Sequence, residues 1–296
     1  MIVATATDAA YVELTAVLLA SLAVHAGPEV AAVYVFCDQV AAADKARLAA
    51  SWPRGDLRFV DLAADEIERF TRLPVSRHLS RTAYARVLMP ARLPEATGRL
   101  LYVDCDTVVN GSLAPLEALD LGGRPLGAVE DAATPERRIA RNRKIGMPDG
   151  MAYFNSGVLL IDLAAWRAAR VAERTFAFVA ARPDLPMMDQ DALNGALAGD
   201  WAPLDDSWNR HRPKVGGRYP DPPEVWKAAR IIHFIGQEKP NFTDCRHPAR
   251  DVVLHHRRAT PYAGRPLRSW LSRKIAKKLN DVKRRLGRLQ RARVAS

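Results

Sequence analysis

The stretch RLLYVDCD, residues 99–106, indicates the fold and places a candidate site within it. Residues 99–103 form an apolar run with the length of a buried β-strand, and Asp104 and Asp106 follow directly. Ligands of open α/β sheets collect at the carboxyl ends of strands. In extended backbone, residues i and i+2 point the same way, so we expect both aspartates on one side and Cys105 on the other. Two carboxylates suit Mg²⁺ or Mn²⁺ bridging a diphosphate, and the alternative is a strand end followed by a solvated turn.

The residues around this stretch alternate between strand-like and helix-like patterns. Before it, strands are predicted at residues 2–6, 32–37 and 57–62, and helices at residues 11–25 and 41–50. After it, strands are predicted at residues 154–162 and 229–235, helices at residues 164–180 and 189–198, and a loop rich in Pro, Gly and charge at residues 209–224. The βαβαβ order predicts an α/β fold with a mainly parallel mixed sheet and helices on its faces.

Length and composition exclude several classes of protein. The 296 residues are 48% hydrophobic, which is enough to bury a sizeable core. The three cysteines are far apart and outside any CxxC pair, which favours reduced cytoplasmic thiols over a disulfide framework or a cysteine zinc site. The opening MIVATATDAAYVELT lacks the basic start of a secretory signal. The sequence contains no uninterrupted run of about 18 apolar residues, so no membrane-spanning helix is predicted.

The positive charge is concentrated in a tail, residues 265–296. The tail holds twelve Lys or Arg and one acid, so the other residues sum to zero although the whole chain carries +11. Its apolar residues recur at steps of three or four, which predicts a basic amphipathic helix on an anionic membrane surface, after a main domain at residues 1–264. The alternative is nucleic-acid binding through the same charge, although Trp270 is the only aromatic residue of the tail.

A second candidate constellation is IIHFIGQEKP, residues 231–240. His233 is either a third metal ligand or a hydrogen-bonded histidine of the core. Gly236 allows backbone to approach a phosphate, and Lys239 can neutralise one as a point charge. Because the chain contains no GxGxxG, we expect a bound diphosphate to be held by a metal and side chains rather than by a glycine cradle.

Three further groups each have a functional and a plainer interpretation. In MDQDALN, residues 188–194, one acid of Asp189 and Asp191 can face a site while the other caps a helix, or both can simply be favourable acids at a helix N-terminus. The segment NSG at residues 155–157 either presents polar groups at a strand start or forms a turn. Arg86 either clamps a phosphate or lies on a helix surface.

In sequence order, these residues resemble glycosyltransferase family 8, the retaining galactosyl- and glucosyltransferases of lipopolysaccharide synthesis and the relatives of glycogenin. The resemblance covers roughly residues 1–242. It rests on VATATD (3–8) with Tyr11 and SL (21–22), YAR (84–86), YVDCD (102–106), VED (129–131), FNSGVLLID (154–162), DQDALN (189–194), WN (208–209) and HFIGQEKP (233–240). It implies a GT-A catalytic domain at residues 1–264. It also implies a hexosyltransferase that moves galactose or glucose from UDP to a glycan or lipid-linked acceptor, such as lipopolysaccharide.

The resemblance further implies a role for each candidate residue. Mn²⁺ or Mg²⁺ would be held by Asp104, Asp106 and His233. The nucleotide and the rest of the donor would be contacted by Thr5, Ala6, Asp8, Arg86, Asp104, Cys105 and Asp131. The diphosphate would be contacted by Gly236 and Lys239, and the transferred sugar by Asn155, Asp189 and Gln190. The basic tail resembles the membrane-associating end of the lipopolysaccharide enzymes, so we expect a cytoplasmic protein on the inner face of the membrane, with no specific nucleic-acid partner.

The chemistry expected of such a site follows from charge. Breaking the sugar–phosphate bond leaves negative charge on UDP, which a metal, Lys239 and Arg86 would stabilise. Asp189 and the Gln190 carbonyl would stabilise the oxocarbenium-like sugar. A double displacement needs a carboxylate nucleophile, and Gln190 is a poor one, so we expect front-face attack with UDP taking the acceptor proton.

One enzymatic alternative is a haloacid-dehalogenase-type phosphatase. The segment DCDT at residues 104–107 follows an apolar strand and also fits the nucleophile motif of that class. That motif usually opens its domain, whereas here a βαβ pattern precedes it. The alternative also gives no role to FNSGVLLID or HFIGQEKP.

Overall fold

The protein is described by a computed structural model covering residues 1–63, 81–93, 96–182, 185, 188–269 and 271. Its strands are β1 Ile2–Asp8, β2 Ala32–Asp38, β3 Leu57–Asp61, β4 Arg99–Val103, β5 Thr107–Val109, β6 Leu126–Glu130, β7 Phe154–Asp162, β8 Ala202–Pro203 and β9 Ile231–His233. Its α-helices are α1 Val12–His25, α2 Ala42–Ala50, α3 Ala85–Arg92, α4 Ala114–Glu117, α5 Pro135–Ile145, α6 Leu163–Ala168, α7 Val171–Ala181, α8 Met188–Leu197, α9 Pro223–Lys227 and α10 Arg250–Arg257. Two 3₁₀ turns lie at Arg81–Tyr84 and Asp206–Asn209.

Seven strands form one sheet in the order β3-β2-β1-β4-β7-β6-β8. Strand β1 is parallel to β2 and β4, and β2 is parallel to β3, whereas β7 runs antiparallel to both β4 and β6. The sheet is therefore mainly parallel and mixed, as the sequence predicts. The strand RLLYV lies at its centre, so the residues that follow it leave the sheet at the edge where β1 and β2 also end.

The core lies on both faces of this sheet. In β4, Leu100 and Tyr102 join the apolar cluster that contains Trp166 and Leu193, while Leu101 and Val103 join the cluster that contains Leu18. This alternation is the period-two pattern of a strand buried on both faces. Burial on both faces explains why residues 100–103 are all apolar. It also fixes the end of β4, so the residues that follow start from a rigid position at the edge of the sheet.

Two predictions from the sequence are wrong in detail. The single helix predicted at residues 164–180 is two helices, α6 and α7, because Arg170 adopts a left-handed backbone with φ of 52° between them. The strand predicted at residues 229–235 is only β9, Ile231–His233, and it pairs with the short strand β5 rather than with the main sheet.

This small β5–β9 pair brings two distant segments together. The strands are antiparallel with Thr107 opposite His233, and the Phe234 amide donates to the Asp106 carbonyl at 3.0 Å. Residues more than a hundred positions apart in sequence therefore meet at the end of β4.

The last described segment packs against the main body. Arg257 on α10 forms an ion pair with Glu13 on α1 at 2.7 Å, and the Arg268 amide donates to the Asn241 carbonyl at 3.0 Å. Among the described helices, none is long and apolar enough to span a bilayer. Of the predicted amphipathic tail at residues 265–296, residues 265–269 are described and are not helical, whereas Trp270 and residues 272–296 lie outside the described residues.

Candidate active site

Three potential metal ligands converge where β4 ends. One ligand atom each from Asp104, Asp106 and His233 lies within 4.8 Å of the others. The His233 Nε2 atom is 3.6 Å from Asp104 Oδ2 and 3.3 Å from Asp106 Oδ1. The two carboxylates converge across a turn, in which the Asp104 carbonyl accepts from the Thr107 amide at 3.1 Å. The two carboxylates converge as expected. The cause is a turn, however, and not the extended backbone that the sequence predicts at residues 104–106.

A cation lies behind each of the two carboxylates. Arg86 contacts Asp104 Oδ1 at 2.9 Å, and Lys239 pairs with Asp106 Oδ2. The other oxygen of each carboxylate faces His233 Nε2. Two carboxylates and an imidazole, each with one atom directed to a common point, are a donor set that fits Mn²⁺ or Mg²⁺.

These ion pairs keep both partners charged. Burial disfavours the Asp106 anion, but opposing attractions, of which that of Lys239 is the largest, lower the pKa of the Asp106 carboxyl below its usual range. Burial likewise disfavours the Lys239 cation, but Asp106 raises the pKa of this ammonium group. The Asp106 carboxylate is therefore ready to bind a cation at neutral pH.

Arg86 joins the metal ligands to a second buried acid. Its guanidinium lies 3.1 Å from Asp189 Oδ2, donates to the Ser156 carbonyl at 2.5 Å and stacks over the Tyr102 ring at 4.6 Å. Burial raises the pKa of Asp189, while Arg86 opposes that rise. Since Arg86 is only 5% exposed, the interpretation of this residue as part of a helix surface is wrong.

Beside Arg86 lies a row of buried polar side chains. Asn155 donates to Gln190 Oε1 at 3.1 Å, and Gln190 donates to Asp131 Oδ2 at 3.2 Å. Asp131 is fixed from the other side by Arg141 at 3.0 Å. The fold thus brings together the three residues expected around the transferred sugar. Asn155 contacts Gln190 directly, and Asp189 is linked to them through Ser156, whose Oγ donates to Asp189 Oδ2 at 3.1 Å.

The second acid of the α8 motif has a different partner. Asp191 is fully buried and accepts from the Tyr153 hydroxyl at 2.6 Å. Of the two acids in MDQDALN, Asp189 therefore faces the site and Asp191 faces the core beneath it. The two acids face different ways, as expected. Asp191, however, binds the Tyr153 hydroxyl instead of capping the helix.

The expected nucleotide-binding residues lie along the end of β1 and the turn after β4. Thr5 and Ala6 are buried in β1, and Thr5 Oγ1 has no hydrogen-bond partner among the described residues. Asp8 ends this strand and accepts from the Ala10 amide at 2.8 Å. Cys105 is half-buried, and burial with the adjacent carboxylates raises the pKa of its thiol well above the usual range, so the thiol stays protonated.

Two glycines of the candidate motifs differ in the space around them. A Cβ atom on Gly157 would lie 2.2 Å from His233 Cε1 and 2.9 Å from Asp104 Oδ2, so no larger residue fits without displacing the ligands. Gly236 has φ of 77°, which favours glycine, and open space surrounds the position of its missing Cβ. It precedes Lys239 by three residues, and the Lys239 ammonium pairs with Asp106 of the ligand cluster.

Two residues of this network have no role in the sequence-based prediction. Asn209 accepts from His233 Nδ1 at 3.0 Å, and His211 lies against the Asn209 carbonyl at 2.6 Å. Both fall in the polar segment 209–224, where neither spacing nor periodicity separates a buried asparagine from a loop residue. The WN pair at residues 208–209 is the one signal present.

The comparison with protein families is decisive for classification. The family model described as glycosyl transferase family 8 matches residues 2–243. The chain belongs to glycosyl transferase family 8. This confirms the resemblance found in the sequence, and the phosphatase alternative is not supported.

Among the curated relatives are a stress protein and a lipopolysaccharide enzyme, each of which matches more than half of the chain. General stress protein A of Bacillus subtilis is 33% identical over 61% of this chain and 66% of its own length. The lipopolysaccharide 1,2-glucosyltransferase of Escherichia coli is 27% identical over 57% of this chain and 51% of its own length. The chain thus spans between about half and two-thirds of these two curated relatives.

A solved structure gives the fold match. The galactosyltransferase LgtC, in complex with donor and acceptor sugar analogs, is 29% identical with a TM-score of 0.75, covering 88% of this chain and 96% of that one. The α/β architecture described above is therefore the GT-A fold of that enzyme.

Proposed function

We propose that the protein is a retaining hexosyltransferase that moves galactose or glucose from a UDP-sugar to a glycan acceptor with the help of a divalent cation. The observation that carries this proposal is the cluster of Asp104, Asp106 and His233, in which each ligand presents one atom to a common point. The adjoining buried amides and acid provide hydrogen-bonding groups of the kind a sugar needs. Family membership supports the same activity.

The cation is Mn²⁺ or Mg²⁺ on the chemistry of the donor set. When bound there, it supplies positive charge for the leaving diphosphate. Lys239 and Arg86 add to that charge, since both are buried next to the ligands and stay protonated. Gly236 lets backbone approach the same region, and Thr5, Ala6, Asp8 and Cys105 border the space for the nucleotide.

The acids near the sugar pocket favour front-face attack. Asp189 accepts from Arg86 and Ser156, Asp131 accepts from Arg141 and Gln190, and Asp191 accepts from Tyr153. A carboxylate so engaged is a weak nucleophile, which disfavours a covalent glycosyl intermediate. The acceptor hydroxyl then attacks from the leaving-group side and gives its proton to the diphosphate.

Gln190 positions the sugar pocket in this proposal. Its Oε1 atom accepts from the Ser156 amide and from Asn155, both at 3.1 Å, and its Nε2 atom donates to Asp131. Stabilisation of the reacting sugar by its carbonyl requires one of these donors to move. Gln190→Ala is expected to lower kcat more than it raises KM for the donor, and an unchanged kcat would remove this role.

The acceptor is proposed to be lipopolysaccharide or another surface polysaccharide. Relatives named lipopolysaccharide 1,2-glucosyltransferase and lipopolysaccharide 1,3-galactosyltransferase support this class. The basic tail would place the enzyme on an anionic membrane from the cytoplasmic side, at about 1 kcal/mol per Lys or Arg near the surface. Because Arg268 pairs with Asn241, a deletion testing the tail is best placed after residue 271.

The tail deletion separates two partners. Loss of binding to vesicles containing anionic lipid, with donor hydrolysis retained, is the expected result. Tight, salt-sensitive DNA binding that disappears with the tail, without vesicle binding, would favour the nucleic-acid alternative instead.

The test of the activity is release of UDP from a panel of UDP-sugars with Mn²⁺. Hydrolysis of one UDP-hexose is expected in the wild type and lost in Asp104→Ala/Asp106→Ala or with a chelator. Asp56→Ala is the matched control, because Asp56 pairs with Arg58 on the exposed surface. Wild-type protein that neither turns over nor binds UDP in a Mn²⁺-dependent way would refute the proposal.

A further inference from the structure

Three side-chain amides connect the ligand cluster to Asp131, and every hydrogen bond along them points the same way. We propose that Asn209 is a positioning residue, which fixes His233 with its proton on Nδ1 and its Nε2 lone pair facing the metal position. The metal-binding part of this inference rests on the proposed function. The proton position itself is a property of the protein alone.

The direction of the row is set by backbone amides, which can only donate. The Gly157 amide donates to Asn155 Oδ1 at 3.0 Å, and the Ser156 amide donates to Gln190 Oε1 at 3.1 Å. These two contacts identify which terminal atom of each side-chain amide is the oxygen. The shape of the amide group alone does not distinguish its oxygen from its nitrogen. Strand β7 thus orients both groups.

The orientation then passes outward to the histidine. Because Asn155 Oδ1 is an acceptor, Asn209 presents its Nδ2 group to it, at 2.9 Å. The Oδ1 atom of Asn209 is left facing His233 Nδ1 at 3.0 Å, so this ring nitrogen carries a proton and donates. A histidine protonated on Nδ1 has its lone pair on Nε2, the atom that faces Asp104 and Asp106.

The far end of the row agrees with the same direction. Gln190 Nε2 donates to Asp131 Oδ2 at 3.2 Å, and an ionised carboxylate can only accept. The four donations therefore run from His233 through Asn209, Asn155 and Gln190 to Asp131. A reversal anywhere would place two donors or two acceptors against each other at one link.

Burial stabilises this arrangement of hydrogen bonds. Asn209 is 0% exposed, Gln190 is 4% and His233 is 5%, so water cannot replace a missing partner. Asn209 is itself held by its neighbour. The Ala132 amide donates to His211 Nε2 at 3.2 Å, which leaves His211 Nδ1 to donate to the Asn209 carbonyl at 2.6 Å.

The experiment reads the His233 ring nitrogens by ¹⁵N NMR in protein without added metal, at a pH of about 8. The signal is assigned by its loss in His233→Ala. We expect protonated Nδ1 in the wild type and in Asn209→Asp, which keeps the acceptor, and protonated Nε2 in Asn209→Leu. An unprotonated Nδ1 in the wild type, or an unchanged signal in Asn209→Leu, would overturn the inference.

Mn²⁺ titration of the same variants supplies the second readout. Asn209→Leu is expected to bind Mn²⁺ about 10- to 100-fold more weakly, the usual effect of removing a partner of a ligating histidine. Asn142→Leu is the matched control, because Asn142 is also fully buried but donates to the Pro148, Asp149 and Met151 carbonyls instead. It should change stability while leaving the His233 signal and Mn²⁺ affinity as in the wild type.

The two readouts also separate this inference from the proposed function. A wild type with protonated Nδ1 that fails to bind Mn²⁺ would support the role of Asn209 in placing the proton and refute metal-dependent catalysis. Equal Mn²⁺ affinity in the wild type and Asn209→Leu would refute the positioning role while leaving the metal site intact.

Discussion

Replacing Gly157 with alanine should damage the ligand cluster more than the fold. Strand β7 passes directly beneath the cluster, and a Cβ atom at this position would lie 2.2 Å from Cε1 and 2.6 Å from Nδ1 of His233, and 2.9 Å from Asp104 Oδ2. Backbone neighbours on β4 hold the strand, since the Asp104 amide donates to the Gly157 carbonyl at 2.7 Å. The imidazole is therefore the group that must move.

The displacement can be worked out from these distances. Reaching ordinary van der Waals contact at 3.4 Å requires the ring to retreat by about 1.2 Å. Metal–ligand distances tolerate only about 0.2 Å, so His233 is lost as a ligand. We expect Mn²⁺ affinity to fall by at least about 100-fold, or about 2.7 kcal/mol. Overpacking should cost about 1–3 kcal/mol of unfolding free energy, which a folded protein of this size can tolerate.

Mn²⁺ affinity by titration and unfolding free energy by denaturant are the two measurements. Gly150→Ala is the matched control, since nothing lies within 4 Å of its added Cβ. The control should match the wild type in both. A folded Gly157→Ala protein that binds Mn²⁺ within about twofold of the wild type would show that His233 does not ligate the metal.

Three further predictions concern the charges around the ligands. Arg86→Lys should weaken Mn²⁺ binding about 10-fold or more, because one ammonium cannot bridge the two carboxylates that the guanidinium contacts; equal affinity by titration would contradict this. Despite burial, Lys239 keeps the pKa of Asp106 low, so Lys239→Met should move the acidic limit of Mn²⁺ binding to higher pH, and titrations over a pH series would reveal an unmoved limit. Burial, with His233 nearby, lowers the pKa of His211 to about 4, below the ordinary 6.5. The unfolded chain therefore binds the extra proton, unfolding free energy should fall as pH drops from about 6.5 to about 4, and His211→Gln should flatten that slope in denaturant titrations.

Much of the sheet is predictable from the sequence because its strands are buried on both faces. The segments RLLYV and FNSGVLLID appear as β4 and β7 with the predicted limits. The three-residue strand β5 is not predictable, because so short a run carries no periodicity. The break between α6 and α7 is not predictable either, because a left-handed Arg170 has no sequence signal comparable to glycine.

The residues of the candidate site also differ in whether the sequence predicts them. Asp104 and Asp106 are predictable because two carboxylates directly after a buried strand lie at the sheet edge where ligands bind. Asn209 is not, since its role depends on a hydrogen bond to a histidine that lies 24 positions later in the chain. Patterns in sequence report which face a residue presents, whereas the pairing of polar side chains is decided by tertiary contacts.

The charges of the cluster are compatible with the proposed role of Lys239, which pairs with Asp106 and would also contact the diphosphate. Asp104, Asp106 and Asp189 face only two cations among the described residues there, Arg86 and Lys239, so an incoming diphosphate meets a net negative site. A divalent cation held by Asp104, Asp106 and His233 would supply positive charge that reverses that sign, and Lys239 would then be available to the phosphate. Each ligand would thereby remove the electrostatic cost of the other. Cation and nucleotide affinities must consequently rise together by the same factor, as linkage requires.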